Sequence, residues 1–351
     1  MARVLVALSG GVDSSVAAYL LQKAGHTVTG VTILGTGPPE APETCRHKAA
    51  AAAEVCSHLG IPHHTHDLTD EFAAEVLEDF VCGYAEGLTP NPCVLCNPRI
   101  KWGYLLQHAL DGGFDAIATG HYAVIDRGGD RLRLLRGVDE SRDQSYMLYR
   151  LSQYQLGHTR LPLGEYTKSR VRQIAREADI PAAETPESQD LCFVPGGDYV
   201  EFLRGRATFE PGPIIDLQGN TLGEHEGLPC YTVGQRRGLG IAAEQPLYVI
   251  KKDPGTNALI VGPRSEVQID VCALRDLNWV SIEPPQPGEE ISGQIEVRFR
   301  TTPVEASVVI GRESAVVNLS QPTVCAPGQS AVLYDGDILL GGGIIARRDE
   351  G

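Results

Sequence analysis

The stretch Val4-Leu5-Val6-Ala7-Leu8-Ser9-Gly10-Gly11-Val12-Asp13-Ser14 decides the fold of the first half of this chain. Its apolar run predicts a buried strand, and the glycine pair predicts a turn that leads into a helix. Glycines let backbone N–H groups approach phosphate oxygens, and a helix N-terminus adds a partial positive charge. An ordinary strand-to-helix turn with a Ser/Asp cap is the alternative. The order of strand, Gly-Gly, Asp and paired serines favours an anion site.

The glycine loop differs from two other nucleotide-binding motifs. It lacks the lysine of G-x-x-x-x-G-K-[ST] and does not have the spacing G-x-G-x-x-G. Residues 9–14 instead resemble the PP-loop of ATP pyrophosphatases, enzymes that bind the pyrophosphate end of ATP and cleave between its α- and β-phosphates. The resemblance implies that ATP is used.

The pattern around this loop predicts an α/β protein with a parallel sheet. Strand-like and helix-like segments alternate as far as Gly120, which favours a parallel sheet with helices on both faces. The loop would then lie at a strand carboxyl end, where ligands bind in such sheets. After about residue 195, Gly and Pro become dense. The short apolar runs there, at residues 247–250, 259–261, 294–299 and 306–310, predict small β-rich modules or a barrel.

Composition bounds the remaining possibilities. A chain of 351 residues is expected to form two or three domains. It contains no signal peptide and no apolar span of membrane length, so we expect a cytoplasmic protein without a membrane partner, whose nine cysteines are reduced. The net charge of −15 argues mildly against nucleic acid as a partner. Residues 127–176, however, carry ten arginines and Lys168, which allows a local basic face or a solvated surface with scattered arginines.

A second group of residues, Asn91-Pro92-Cys93-Val94-Leu95-Cys96-Asn97, points to thiol chemistry. It precedes a predicted helix that includes Lys101, and a thiol at a helix N-terminus near a cation is expected to have a lowered pKa. Cys-x-x-Cys alone suits a redox pair, zinc or an iron–sulfur cluster. Cys192 is the third relevant thiol, and we expect the other six cysteines to be core or incidental residues.

These strings together resemble the bacterial tRNA-specific 2-thiouridylase family, which thiolates the wobble uridine of certain tRNAs. The resembling strings run from residue 9 to residue 345 and are SGGVDSS (9–15), TPNPCVLCNPRIKWG (89–103), ATGHYA (118–123), DQSYMLY (143–149), ESQDLCF (187–193), YTVGQRRGLG (231–240) and APGQSAVLYDGDILLGGGII (326–345). The resemblance implies a PP-loop α/β domain at residues 1–197, a small central β-rich domain at 198–265, and a C-terminal, tRNA-contacting β-barrel at 266–351.

The resemblance also implies roles for single residues. Cys96 would be the nucleophile and Cys192 the carrier of a persulfide. Gly120 and the backbone at Ile33, where the family often has Met, would line the adenine pocket. The residues that would hold the ATP phosphates are Ala7, Leu8, Ser9, Gly10, Gly11, Val12, Asp13 and Ser14. The residues that would contact tRNA are Asn91, Pro92, His121, Arg142, Asp143, Gln144, Arg298, Phe299 and Gln329.

Cys93 is a departure from the family pattern. Many members have an aspartate there, proposed as an acid/base group, and a thiol cannot simply inherit that role because its ordinary pKa is higher. Cys93, Cys96 and Cys192 would instead suit a [4Fe–4S] cluster with one open iron. Two mechanisms therefore stay open after the Mg²⁺-assisted adenylation of the uridine. Sulfur comes either from a persulfide on Cys192, loaded by a cysteine desulfurase or relay protein, or from free sulfide bound by the cluster. Cys93 favours the cluster.

Three other functions remain as alternatives. A PP-loop enzyme with an amine nucleophile, such as a lysidine synthetase or an amidotransferase synthetase, would need no cysteine trio. A non-enzymatic RNA-binding protein would use the β-barrel and leave the loop without a role. A thiol redox protein built on Cys93 and Cys96 would lack the thioredoxin-like context that such proteins have.

Overall fold

The structure is a computed structural model, and it describes residues 1–37, 42–185 and 191–347. Residues 187–190, part of the string that resembles the family around Cys192, lie outside the described residues.

A five-stranded sheet with all strands parallel forms the first part of the molecule, as the alternating pattern predicts. The strands stand in the order β3-β2-β1-β4-β7. Their bounds are β1 Arg3–Ala7, β2 Thr27–Leu34, β3 His63–Asp67, β4 Ala116–Ala118 and β7 Thr159–Arg160. The chain runs outward from β1 through β2 to β3 and then returns to β4 on the other side of β1. This reversal places a topological switch point between β1 and β4, where open α/β sheets bind ligands.

Helices cover both faces of this sheet. Val4 and Val6 of β1 pack toward the helices α1 and α2, whereas Leu5 packs on the opposite face against Trp102 and Leu105. The helices are α1 Val12–Lys23, α2 Pro42–Leu59, α3 Thr69–Phe72, α4 Glu78–Ala85, α5 Pro92–Cys96, α6 Leu106–Asp111, α7 Gln153–Gly157, α8 Lys168–Glu177, α9 Tyr199–Leu203 and α10 Arg264–Val267. Two π-helical segments, Ala73–Leu77 and Asn97–Leu105, join α3 to α4 and α5 to α6.

The middle of the chain forms a four-stranded sheet in the order β10-β11-β8-β9. Its strands are β8 Gly212–Ile215, β9 Thr221–His225, β10 Tyr248–Asp253 and β11 Ala258–Gly262. The buried Lys252 of β10 joins this unit to the first part of the chain, because its ammonium donates to the carbonyls of Tyr231 at 2.8 Å and Leu88 at 3.0 Å. The predicted small β-rich central domain is confirmed.

Six antiparallel strands close into a barrel at the C-terminal end, which confirms the predicted barrel. They follow the order β12-β15-β14-β13-β16-β17, and β17 pairs back with β12. The strands are β12 Ile269–Trp279, β13 Glu290–Glu296, β14 Val304–Ile310, β15 Ser314–Thr323, β16 Ser330–Asp335 and β17 Ile338–Ile345. The prediction of a strand at residues 294–299 was wrong at its C-terminal end, because β13 ends at Glu296. The chain turns after Glu296, where Thr301 donates its N–H to the Arg298 carbonyl and Arg300 has a φ of +60°.

A hairpin from the first part of the chain extends the barrel sheet. Its strands are β5 Ala123–Asp126 and β6 Arg133–Arg136, and β6 pairs with β17 through Leu134 and Leu339. One buried hydrophobic cluster consequently joins Leu5 and Trp102 of the α/β unit to Val332, Tyr334 and Leu339 of the barrel. Short-range sequence pattern does not reveal this pairing, and it ties the α/β unit and the barrel into one body.

Among the described residues, no helix combines the length and the apolar character needed to cross a membrane.

Candidate active site

The glycine loop after β1 is held in a tight turn against α2. Gly10 has a φ of +77°, which only glycine adopts readily. A Cβ atom at Gly10 would lie 2.9 Å from the Ala51 Cβ atom and 3.0 Å from the Lys48 carbonyl oxygen. The turn therefore needs glycine at this position for its backbone conformation and for space.

The serines of the loop bond to its own backbone. The Ser14 hydroxyl accepts the Ser9 N–H at 3.2 Å and donates to the Gly11 carbonyl at 3.1 Å. Ser15 donates to the same carbonyl at 2.8 Å. Helix α1 begins after Gly11, and no side chain of the described residues caps its N-terminus. The first N–H groups of α1 thus remain available to an anion, as the sequence predicts.

Asp13 lies in the loop but is neutralised by residues from distant parts of the chain. Its carboxylate accepts two bonds from the Lys168 ammonium, at 2.6 and 2.7 Å, and one from the Tyr122 hydroxyl at 2.7 Å. A carboxylate beside bound phosphates would repel them, and the buried Lys168 offsets that charge. Sequence reasoning missed both partners of Asp13. Tyr122 lies inside the resembling string 118–123 and Lys168 in the arginine-rich stretch, but neither position indicates a contact with Asp13.

Gly120 lies at the switch point, directly beside the loop. A Cβ atom there would be 2.8 Å from the Ser14 backbone nitrogen and 2.9 Å from the Asp13 carbonyl carbon. Ile33, near the end of β2, is half-buried and contacts both the main cluster of the α/β unit and the cluster that contains Cys96. Of the two predicted adenine-pocket residues, Gly120 therefore borders the glycine loop and Ile33 borders the region of Cys96.

The helix that carries Cys93 and Cys96 is fixed at both ends by asparagines. Asn91 caps α5 by accepting the Cys93 N–H at 3.2 Å, and Pro92 occupies the first turn. The buried Asn97 donates to the Met147 carbonyl at 2.8 Å and accepts from the Lys101 ammonium at 3.0 Å. These contacts hold the Lys101 ammonium where its charge acts on all three thiols.

Burial, and not Lys101, dominates the electrostatics of the thiols. It raises the pKa of Cys96 to about 11 and raises the pKa of Cys93, although Lys101 lowers both. The prediction of a lowered thiol pKa was wrong, because the cation does not compensate for lost hydration. Cys192 keeps an exposed surface, yet local packing, followed by the charges of Cys96 and Cys93, raises the pKa of its thiol to about 12.

An aromatic cluster anchors Cys192 near Cys96. Phe193, the residue after Cys192, is buried against Phe80 and Phe202, with ring centroids 5.2 and 5.1 Å away. Cys96 belongs to this same buried cluster. The fold thereby brings together the two thiols that the sequence selects, and the charge of Cys96 contributes to the raised pKa of Cys192.

The three thiols do not form a ready metal site. No three Cys, His, Asp or Glu side chains of the described residues are arranged so that they could hold a metal ion. Burial raises the pKa of all three thiols, so each would have to lose its proton to bind iron. The arrangement of the described residues does not fit the predicted cluster.

Two of the predicted tRNA-contacting residues have internal roles for their side chains. The buried Asp143 carboxylate accepts from the backbone N–H groups of Gly137 at 2.9 Å and Ser145 at 3.1 Å, and from the Ser145 hydroxyl at 2.7 Å. The buried Gln329 donates to the Thr89 carbonyl at 2.7 Å, which joins the barrel to the segment before α5. Both side chains therefore bond inside the fold and support the backbone beneath the surface.

The other predicted tRNA-contacting residues range from the buried Pro92 to the exposed Arg298. Arg298 is exposed, and Phe299 packs its ring 5.8 Å from that of Tyr146. Gln144 accepts the Tyr122 N–H at 3.1 Å, and Arg142 is half-buried. His121 bonds to the Thr119 hydroxyl at 2.7 Å, and burial followed by Lys101 holds its pKa well below the ordinary value. His121 is therefore neutral at physiological pH.

A parallel sheet with an anion-binding glycine loop at its switch point, together with Cys96 and Cys192 in one region of the fold, defines a PP-loop enzyme that uses MgATP. Along its length the chain matches the families described as "tRNA methyl transferase HUP domain" (residues 2–196), "tRNA methyl transferase PRC-barrel domain" (200–263) and "Aminomethyltransferase beta-barrel domain" (269–345). The tRNA-specific 2-thiouridylase MnmA of Chloroflexus aggregans is 48% identical over 361 residues, covering 100% of both chains. The protein of the same name from Synechocystis sp. is 46% identical and covers 98% of this chain and 96% of its own. The chain belongs to the tRNA-specific 2-thiouridylase family.

Among solved structures, the U34-tRNA thiolase NcsA of Methanococcus maripaludis with its [4Fe-4S] cluster aligns over 58% of this chain and 64% of its own. Its identity is 18% and its TM-score is 0.38, a similarity too weak to carry a conclusion about the chemistry of this chain.

Proposed function

We propose that this chain is a tRNA-uridine 2-sulfurtransferase that adenylates the wobble uridine with ATP and replaces the oxygen at C2 with sulfur. The observation that carries the proposal is the thiol pair. Cys96 and Cys192 meet in one region of the fold, and Ile33 connects that region to the end of the sheet that holds the glycine loop. Membership of the family supports the same function.

The first half of the reaction uses the glycine loop. The wobble uridine leaves its stack, which costs a few kcal/mol, and binds near the glycine loop. Its O2 attacks the α-phosphate of MgATP, an O–P bond forms, and pyrophosphate leaves. The free N–H groups at the start of α1 stabilise the charge that develops on the phosphate oxygens. Adenylation makes AMP the leaving group at C2.

The second half of the reaction uses the two thiols. A cysteine desulfurase or relay protein loads a terminal sulfur onto Cys192. The Cys96 thiolate attacks Sγ of Cys192, a Cys96–Cys192 disulfide forms, and the terminal sulfur departs as sulfide. Sulfide attacks C2 of the adenylated uridine and AMP leaves. The two thiols supply two electrons to the sulfur, so an external thiol reductant must restore them before the next turnover.

The geometry of the thiols favours this persulfide route over the cluster that Cys93 suggests. Three cysteines that approach one another in space are compatible with a cluster, but here they are not arranged to hold a metal. Cys93 is then a neighbour of the site. Its thiol, which is protonated, stands where many members of the family have an aspartate. Its removal is expected to leave iron-free thiolation intact.

Mass spectrometry of nucleosides from tRNA incubated with the protein, ATP and a sulfur source tests the proposal. We expect 2-thiouridine with the wild type and with the control Cys82→Ser, which changes an exposed cysteine of α4. Cys96→Ser and Cys192→Ser are expected to form none, while still releasing pyrophosphate in the presence of tRNA. Absence of 2-thiouridine from the wild type, with a persulfide donor and after anaerobic cluster reconstitution alike, contradicts the proposed function.

The variant Cys93→Ala separates the two sulfur routes. Full thiolation by this variant, iron-free and supplied with a persulfide donor, is the expected result. If the variant loses thiolation and the reconstituted wild type binds about four irons per chain, the cluster route is correct instead.

A further inference from the structure

Arg136, the last residue of β6, lies where the α/β unit meets the barrel. Its Nη1 atom is 2.6 Å from a carboxylate oxygen of Glu296 and 3.3 Å from one of Asp143. The guanidinium lies over the Tyr334 ring, with 3.6 Å between Cζ and the ring centroid. Both carboxylates are 7% exposed and the Arg136 side chain is 16% exposed, so this charge cluster is largely shielded from water.

The two carboxylates come from two segments that are far apart in sequence. Asp143 is the middle residue of 142–144, in the first part of the chain. Glu296 ends β13 of the barrel and stands two residues before Arg298 and three before Phe299. These two segments are the ones that family resemblance predicts to contact tRNA. The Arg136 guanidinium pairs with a buried carboxylate in the first segment and with one just before the second.

Further contacts show that the two segments form one surface. The Phe299 ring lies 5.8 Å from the Tyr146 ring, three residues after Asp143. The Ser145 hydroxyl is 3.1 Å from that of Tyr334, on which Arg136 stacks. The backbone N–H of Arg136 also donates to the Asp337 carbonyl at the turn before β17. Arg136 is thus bonded by its backbone and its side chain to both sides of the junction.

The charge balance explains why an arginine is needed. One cation faces two buried carboxylates, and the loss of the cation would leave two like charges close together in a poorly hydrated place. Asp143 has three other donors, so the uncompensated charge would fall mainly on Glu296. Lysine has the charge but not the planar group that spreads over Tyr334 while bonding to carboxylates at its edge.

We propose that Arg136 is a positioning residue for tRNA, because it fixes the segment 142–144 of the α/β unit against the segment 298–299 of the barrel. This inference rests on the proposed function. It assigns the residue no contact with the reacting atoms. A tRNA that spans both units would lose affinity when the two segments shift apart, whereas the ATP site, which uses α1 and Gly120, would not change.

The test compares Arg136→Met and Arg136→Lys with the matched control Arg133→Met, which removes the exposed partner of Asp126 from the same strand. Binding of unmodified tRNA and the KM values for tRNA and ATP in thiolation are measured for each folded variant. We expect Arg136→Met to raise the tRNA Kd and KM at least tenfold, with the KM for ATP and kcat within twofold of the wild type. Arg136→Lys should recover part of the affinity, and Arg133→Met should match the wild type.

The double variant Arg136→Met, Glu296→Met covers the case in which Arg136→Met does not fold, since it replaces the ion pair by an apolar contact. We expect it to fold and to keep the raised tRNA Kd. Wild-type tRNA affinity in a folded variant overturns the inference, as does a loss of kcat with unchanged KM values, which indicates fewer folded molecules. A wild type that binds tRNA without thiolating it contradicts the proposed function alone, and the comparison of Kd values still decides on Arg136.

Discussion

At the scale of single residues, the protonation of Cys96 sets the conditions for sulfur transfer. Burial holds the pKa of this thiol near 11, so the nucleophilic thiolate is a small fraction at neutral pH. That fraction grows with pH until the pKa is reached. The burial of Cys96 thus makes it a weakly ionised nucleophile.

We therefore expect the sulfur-transfer step to accelerate about tenfold per pH unit between about pH 7 and pH 9, because thiolate concentration rises by that factor below the pKa. Lys101 lowers the pKa of Cys96, so Lys101→Met should raise that pKa and slow the step at every pH in this range. Single-turnover formation of 2-thiouridine from persulfide-loaded protein measures the effect. Arg99→Met, which breaks the surface pair with Glu75, is the control. A pH-independent step would show that ionisation of Cys96 does not limit transfer.

Residues close together in sequence could be predicted, and those that meet only in the folded chain could not. The loop Ser9–Ser14 and the strings around Cys96 and Cys192 carry their chemistry in local order. Lys168 is 155 positions from Asp13, and nothing in its neighbours indicates the contact. The thiol pKa was mispredicted for the same reason, since burial by distant aromatic residues is not visible at residues 93–96.

At the scale of elements, the contact between the end of β4 and the start of α1 keeps the phosphate loop open. Gly120 allows this approach because it has no side chain. The strand order places β4 beside β1, so the loops that follow these two strands lie close together and leave little space for a side chain. Alternating strand and helix patterns were enough to predict the sheet, but the hairpin β5–β6 pairs with a strand about 200 residues later, and no local pattern specifies that partner.

We expect Gly120→Ala to raise the KM for ATP at least tenfold, since its Cβ atom would lie 2.8 Å from the Ser14 nitrogen and displace the first turn of α1. Affinity for tRNA should stay close to that of the wild type. Pyrophosphate release as a function of ATP concentration measures the change. Gly129→Ala, where the nearest atom is 3.8 Å away, is the matched control. Unchanged ATP kinetics in Gly120→Ala would place the nucleotide elsewhere.

At the scale of the whole molecule, the barrel and the α/β unit share one hydrophobic cluster, so we expect them to unfold together. The two tryptophans report on the two units separately, because Trp102 packs in the shared cluster and Trp279 lies on β12 against the barrel's own core. The arginine-rich stretch contributes to this junction. Arg131 donates to carbonyls of Val280 and Trp279, and Arg136 bridges the carboxylates, so these arginines serve internal structure despite the acidic net charge.

Leu339→Ala is expected to destabilise the protein by about 2–5 kcal/mol through the cavity it leaves. Because Leu339 is fully buried in the shared cluster, the denaturation midpoints reported by Trp102 and by Trp279 should fall together. Fluorescence of the single-tryptophan proteins Trp279→Phe and Trp102→Phe measures each midpoint. The exposed Leu222→Ala should move neither. A shift confined to the Trp279 signal would mean that the two units unfold independently.

The pairing of β6 with β17 has a consequence for how this protein is made. Residues up to Arg136 leave the ribosome long before Ile338–Ile345 are synthesised, and at about 5–20 residues per second the interval is about 10–40 s. During that time Leu134 and its neighbours are exposed, with the edge of β6 unpaired. For most of its synthesis, a nascent chain of this protein thus exposes an apolar surface and an unpaired strand edge. Its last strand completes the first domain, and we expect chaperone dependence during translation to end only when that strand emerges.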